Sequence, residues 1–358
     1  MIRIGLITFH SSNNFGSVLQ AYGLYRAVRD FGVDIKIIDY TCEKNFNNEI
    51  PHFPKLTINP YNCLLGVARW IISPKRKRYI ELQKFLRKHA QLTRRLERSE
   101  LKKLSSEFDL FLIGSDMVWE MDLNGGDLTY FLDFENNPSK KIAFASSVGF
   151  PWNDKEKGII KPLLSQFKHI AVRETASANW IEELIGTRSP VVCDPTMLLT
   201  REEWITFVSN KRPEEKYVLT YFETDNGDCL DSAIKIAAKN KIKVKRIDVG
   251  TKRATEYEVI RPTSIQEFLS LIYYAEAVVT ASYHGILFSL YFNKPLVFYL
   301  RRQTSRVETL LEKLEIGNCD GRFVDINNLP KIDYEKINIG IEDYRKESLR
   351  YLKRFIED

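Results

Sequence analysis

Cysteine is sparse in this sequence, and nothing in its spacing organises the chain. Cys42, Cys63, Cys193, Cys229 and Cys319 are scattered, with no CxxC pair and no histidine at metal-ligand spacing. That excludes a disulfide framework and a zinc module, and it suits a reducing compartment. Long apolar runs are also missing. No stretch approaches the roughly 20 residues that span a bilayer. The opening MIRIGLITF is too short for a secretory signal and reads as a first strand. There is no GxGxxG dinucleotide fingerprint, no short-period repeat and no low-complexity tract. Charge of one sign is not in large excess either; at +6, its distribution matters more than its size. What is present is an ordinary globular composition, 44% hydrophobic and 28% charged over 358 residues, enough for two domains.

Read in order, the chain alternates strand, polar tip and helix. Arg3 to Phe9 is a strand, 10–16 a small polar loop, Ser17 to Phe31 a helix with Val18, Tyr22, Tyr25 and Val28 on one face, and Val33 to Tyr40 a second strand. Such a βαβ unit implies a parallel sheet. Asn13, Asn14 and Gly16 in the loop either approach a ligand or form a plain turn. Further apolar strands run from Phe108 to Ile113, Lys140 to Val148, His169 to Arg173 and Pro190 to Cys193. They end at Ser115-Asp116, Ser146-Ser147, Arg173-Glu174 and Asp194. Tips at Asn13, Asp116, Ser147, Arg173 and Asp194 are expected to line one edge of one sheet. Any one polar tip is weak evidence, whereas five favour a site.

Residues 41–62 read as a long loop. The next stretch, 63–103, is apolar and aromatic at first, with Trp70, Ile71 and Ile72, and then densely basic from Lys75-Arg76-Lys77-Arg78 onward. It suits a helix on an anionic membrane surface, a nucleic-acid face or a solvated helical hairpin. After a charged connection at 200–216, strand–helix alternation resumes with Tyr217 to Phe222, a helix near Asp231 to Lys239, a strand from Lys243 to Val249, and a helix from Ser264 to Tyr274.

The stretch from Ala275 to Arg306 carries the most chemistry. A strand at Ala277 to Thr280 ends in Ala281-Ser282-Tyr283-His284-Gly285, a helix follows from Ile286 to Phe292, and the next strand, Leu296 to Leu300, leads to Arg301, Arg302 and Arg306. His284 therefore falls at a strand-to-helix turn, at the edge where parallel sheets bind ligands and helix N–H groups favour anions. The alternative is a histidine satisfied within the fold. The chain is expected to form domains at 1–205, with the basic helical insertion at about 63–103, and at 215–335. A helix at 336–358 would cross back.

Taken together and in order, ITFHSSNNFGSVLQAYGLYRAV, FLIGSDMVWE, KKIAFASSVG, AVRE, VVCDPTMLL and VVTASYHGILFSLYFNKPLVFY with SRVETLL resemble the polysaccharide pyruvyltransferase family. Residues 41–104 show no match. The resemblance implies an α/β fold of two Rossmann-like domains, glycosyltransferase-B-like, with the active site in the inter-domain cleft and the acceptor on the N-terminal domain. It also implies phosphoenolpyruvate as donor and co-substrate, and a sugar acceptor that receives a pyruvate ketal with release of phosphate. The family's arginine for phosphoenolpyruvate falls on Arg173 and its histidine on His284. Where many members carry an arginine two residues before that histidine, this chain has Ser282. Arg302 and Arg306 are the expected replacements.

On this reading His284 protonates the vinyl carbon and Asp116, or else Asp194, takes the proton of the attacking hydroxyl. Arg173, Arg302, Arg306, Ser282, Asn13, Asn14, Gly16, Ser115, Ser146, Ser147 and Asp194 are expected to contact substrate. No metal, no further cofactor and no nucleic-acid partner is expected. The expected place is the cytoplasm, with peripheral contact at the inner face of the plasma membrane through about 64–103 if the acceptor is lipid-linked. The rivals are a nucleotide-sugar-dependent glycosyltransferase of the same fold and a non-enzymatic membrane- or nucleic-acid-binding module.

Overall fold

The computed structural model describes residues 1–54, 60–222, 227–248, 255–300 and 304–358. The chain divides into two compact units. Met1–Ile72, Tyr79–Leu199 and Asp343–Asp358 make up the first, and Ser73–Arg78 with Thr200–Glu342 the second.

Five parallel strands form the first unit's sheet: β1 (Arg3–Ile7), β2 (Asp34–Ile37), β3 (Leu110–Ile113), β4 (Lys141–Ser146) and β5 (His169–Val172). Their spatial order is β2-β1-β3-β4-β5, with Ile4 opposite Ile35 on one side and Leu110 on the other. The helices in chain order are α1 (Phe15–Arg29), α2 (Glu43–Glu49), α3 (Pro60–Ile72), α4 (Pro74–His89), α5 (Met121–Asn124), α6 (Asp154–Leu164) and α7 (Thr175–Ile185). The inner strands are nearly continuous apolar runs because helices cover both faces of a parallel sheet. Ile7, Phe111, Ile113, Trp119, Phe131 and Val172 belong to the packed core on one side.

Apart from Ser73–Arg78 at the start of α4, the second unit runs from α8 (Arg201–Ile205) and β6 (Tyr217–Tyr221) to α9 (Gly227–Asn240), β7 (Lys243–Ile247), β8 (Glu258–Ile260) and α10 (Ile265–Tyr273). It continues with β9 (Ala277–Thr280), α11 (Tyr283–Tyr291), β10 (Leu296–Phe298) and α12 (Ser305–Leu314), and α13 (Tyr334–Glu357) closes the chain. The sheet is again all parallel, in the order β10-β9-β6-β7-β8. Counted within the unit, that is the Rossmann order; the first unit has the flavodoxin-like doubly wound order. Each sheet reverses its winding once, between β1 and β3 and between β6 and β9. Ligands of such sheets sit at the carboxyl ends of the strands beside these switch points.

Several elements depart from the sequence reading. The expected loop at 41–62 holds α2 and the start of α3. α2 buries none of its residues, so it has no apolar period to betray it. α6 is announced only by its capping box, Asn153 with Glu156. The expected strand at Pro190 to Cys193 reduces to one bridge, Val191 with Val172. α11 starts at Tyr283, so His284 belongs to the helix and not to the loop before it.

Candidate functional site

In the first unit the carboxyl ends of β1, β3, β4 and β5 meet in one buried polar network. Thr8 donates to the Ser115 carbonyl at 3.1 Å, and the Gln20 amide donates to Thr8 at 3.0 Å and accepts from the Ser115 N–H at 3.2 Å. This latches the β1 loop to the β3 tip across the switch point. Asp116 follows in the left-handed region, φ 72°, a conformation Asp tolerates better than bulkier residues. Its carboxylate accepts from Ser17 at 2.6 Å and from the Met117 N–H at 2.9 Å.

Arg173 lies behind it. Its side chain is 1% exposed, and Nη1 donates to Asp194 at 2.7 Å. Nη2 is 3.8 Å from Asp116 and Nε 3.8 Å from Glu174. Asp194 also accepts from the Thr196 N–H and hydroxyl, at 2.9 and 2.7 Å, and Glu174 accepts from Ser147 at 2.7 Å and from Ser177. One guanidinium therefore faces three carboxylates, of which Asp116, with 13% of its side chain exposed, is the one open to solvent. The guanidinium expected to receive an anionic substrate is already engaged, and the carboxylate excess repels an anion. What the tip offers is acceptor oxygens, suited to the hydroxyls of a neutral polyol.

The remaining expected contacts in this unit have local partners. Asn14 caps α1 and accepts from the Gly16 N–H at 2.8 Å. The Asn13 N–H donates to Glu49 at 2.9 Å, its side-chain amide donates to the Glu49 carbonyl, and Ser12 donates to the same carboxylate at 3.1 Å. Ser146 is fully buried and donates to the Ile113 carbonyl at 3.3 Å. The Ser115 hydroxyl is fully buried with no partner among the described residues. Next to the loop, His10 lies 3.4 Å from Asp39, and Arg87 donates to Asp39 at 2.9 Å. Burial works to raise the Asp39 carboxyl, but the bond and charge of His10 and the charge of Arg87 outweigh it, so it ends below the ordinary carboxylate value. On the same edge, a cavity of about 760 Å³ is lined by Tyr40, Lys44, Asn47, Arg98 and Asp127, among others.

In the second unit the β9 tip is built by short-range bonds. Thr280 donates to the Tyr221 carbonyl at 2.5 Å and accepts from the Ser282 N–H at 3.1 Å. Ser282 caps α11 through the Gly285 N–H at 3.4 Å. A Cβ on Gly285 would strike the Thr280 hydroxyl, so only glycine seats the helix this close to the strand. His284 is thus the second residue of a capped helix at the β6/β9 switch point, buried and edge-on to Tyr283 with ring centroids 5.3 Å apart. The Arg306 guanidinium lies 5.8 Å from the Tyr283 ring on its other contact. Arg301 and Arg302 lie outside the described residues.

Sequence reasoning did not single out Glu174, Gln20, Thr196 or Tyr283. Nor did it single out Arg246, a buried arginine near the end of β7. The signal for Arg246 was its spacing: in KVKRI it shares a face with Val244, whereas Lys243 and Lys245 point the other way. Among the described residues no group of three or more His, Cys, Asp or Glu side chains could hold a metal ion.

These two sheets define an α/β protein of two Rossmann-like units. The sequence profile of the polysaccharide pyruvyl transferase family matches residues 14–301. The chain belongs to that family and is a transferase. No curated protein sequence matches it significantly. Solved structures similar to it include the UDP-GlcNAc 2-epimerase of Methanocaldococcus jannaschii with UDP-GlcNAc and UDP, at 15% identity and TM-score 0.44, covering 100% of this chain and 99% of that one. Staphylococcus aureus MnaA with UDP aligns at 13% identity and TM-score 0.49, over 99% and 97% of the two chains. Arabidopsis thaliana UGT89C1 with quercetin aligns at 11% identity and TM-score 0.44, over 97% and 94%.

Proposed function

We propose that the protein transfers the enolpyruvyl carbons of phosphoenolpyruvate to two hydroxyls of a sugar in a polysaccharide precursor, forming a pyruvate ketal and releasing phosphate. Family membership together with the placement of His284 at a capped helix start supports this reading. His284 gives a proton to the vinyl carbon of phosphoenolpyruvate, and positive charge develops at the adjacent carbon. One sugar hydroxyl adds there and loses its proton to Asp116. The carbon–oxygen bond to phosphate then breaks, and the second hydroxyl closes the ketal. The proton from His284 turns the vinyl CH2 into a methyl group, the first hydroxyl's proton on Asp116 replaces it in the enzyme, and the second hydroxyl's proton leaves with phosphate.

The carboxylate excess around Arg173 supports a neutral acceptor on the first unit. Arg173 acts there by positioning Asp116 and Asp194 rather than by touching the donor. Arg306, and Arg302 with it, serve the donor's negative charge, as guanidinium forks suit carboxylate and phosphate.

The acceptor in this proposal is lipid-linked and the enzyme works in the cytoplasm at a membrane surface. α3 supports that part: Tyr61, Leu64, Ile71 and Ile72 are exposed, and Lys75, Arg76 and Lys77 follow in sequence. No helix among the described residues is long and apolar enough to cross a membrane. Equal partition to anionic and neutral vesicles would remove this part of the reading.

The test is incubation with phosphoenolpyruvate and a panel of sugar acceptors. Phosphate release matched by the mass gain of one ketal is the expected result. Sugar transfer from a nucleotide donor, with phosphoenolpyruvate unused, overturns it.

A further inference from the structure

Among the described residues two arginines are buried at strand ends, and their surroundings are opposite. Arg173 is compensated three times over. Arg246 is 8% exposed and has no carboxylate within ion-pair distance among the described residues. Its guanidinium lies 4.4 Å from the Phe222 ring centroid and 5.7 Å from that of Tyr257. Among the described residues one hydrogen bond leaves it, from Nη1 to the Tyr257 hydroxyl at 3.1 Å, and Nε is buried with no acceptor. A permanently charged group kept this dry without a counter-ion is costly. Stacking on two rings recovers a part of that cost, not all of it.

The backbone shows where a counter-ion would come from. Arg246 is the penultimate residue of β7, so it stands at the carboxyl end of the sheet. It lies on the face covered by α9, because Val244, two residues earlier, packs with Cys229 and Ala233 of that helix. α9 has 14 residues, and its N-terminus lies at this same edge, after β6 at the switch point. Cys229 in its first turn belongs to the same apolar cluster as Phe222, whose ring the Arg246 guanidinium faces at 4.4 Å, so the guanidinium lies on the side of the sheet where that turn packs. A helix start and a guanidinium with no ion-paired carboxylate among the described residues thus lie at one edge of the sheet, and both favour negative charge against the opposing Asp228 of the same turn.

We propose that Arg246 and the opening turn of α9 form an oxyanion seat for a phosphate group in the second unit. On the reading given above, this is the phosphate of the donor. The same chemistry would accept the diphosphate of a nucleotide, so the probes must separate the two.

The experiment uses the full chain and follows thermal unfolding and calorimetric binding with inorganic phosphate, phosphoenolpyruvate, uridine diphosphate and pyruvate. In the wild type, phosphate and phosphoenolpyruvate raise the melting temperature and pyruvate does so least. Arg246→Gln weakens phosphate at least about tenfold, the loss of one to two charge-assisted bonds, and Arg246→Lys falls between. Without added anion, Arg246→Met unfolds no earlier than the wild type because no carboxylate among the described residues loses its partner. Arg173→Met, which strands three carboxylates, unfolds earlier. Should the Gln variant fail to fold, the Lys and Met variants carry the same comparison.

Equal protection of wild type and Arg246 variants by phosphate overturns the seat. So does an unchanged KM for phosphoenolpyruvate in Arg246→Gln, and in that case the pyruvyl-transfer reading still stands. Arg246-dependent binding of uridine diphosphate, with none of phosphoenolpyruvate, keeps the seat and overturns that reading instead.

Discussion

Two carboxylates in the first unit illustrate how a charge is read by its neighbours. Asp116 is the carboxylate of the Arg173 network that solvent reaches, and its left-handed backbone is held by bonds on both carboxylate oxygens. We expect Asp116→Asn and His284→Ala each to lower kcat by about 10²–10⁴-fold, the usual worth of a proton-transfer group. Near-normal turnover by either folded variant removes that residue from the chemistry. Asp39 makes a different prediction. Its carboxyl binds a proton less readily folded than unfolded, so it contributes stability that is full above the ordinary value of 3.8 and is lost as pH falls below it. Asp39→Asn should cost about 1–3 kcal/mol near neutrality, since it also strands the buried His10. Denaturant titrations should show the gap between wild type and variant closing as pH falls below that value. A gap independent of pH would mean that packing, not charge, holds the site.

At the scale of the element, the β9–α11 turn depends on Thr280 and Gly285 fitting together. Gly285→Ala should destabilise by about 1–3 kcal/mol, the usual cost of overpacking. In a double-mutant cycle with Thr280→Ala the two losses should be less than additive, because the second change removes the atom the new methyl strikes. Strict additivity would show that the turn yields elsewhere. Much of this was legible. Ala277 to Thr280 reads as a strand from its apolar run alone, and the order of polar tips at Asn13, Asp116, Ser147 and Arg173 follows from strand–helix alternation. The pairing inside the tips was not legible. Arg173 reads as a free cation because Asp194 is 21 residues away in sequence and meets it only through β5 and the Val172–Val191 bridge. Arg246 was hidden for the opposite reason: a basic strand reads as solvated until its two-residue period is followed. α2 left no trace because a helix without a buried face has no period.

At the scale of the whole molecule, the first unit is discontinuous. Residues 343–358 belong to it although they follow the entire second unit. Ser348 accepts from the Cys193 N–H at 2.9 Å, and Phe355 stacks on His169 with centroids 4.5 Å apart. Each unit has a core of its own, so each should unfold as a cooperative block. Deleting 343–358 should lower the melting temperature of the first unit and leave that of the second nearly unchanged, as two-transition calorimetry would resolve. Equal loss in both would contradict the division.

The same topology sets an order of events on the ribosome. Synthesis runs from the amino end, so the β2-β1-β3-β4-β5 sheet is complete long before α13 is translated, and the partners of Ser348 and Phe355 wait uncovered while about 140 further residues emerge. The half of the protein made first is therefore the half finished last, and a stalled nascent chain lacking its final helical turns would expose the flank of β5 to chaperones and proteases.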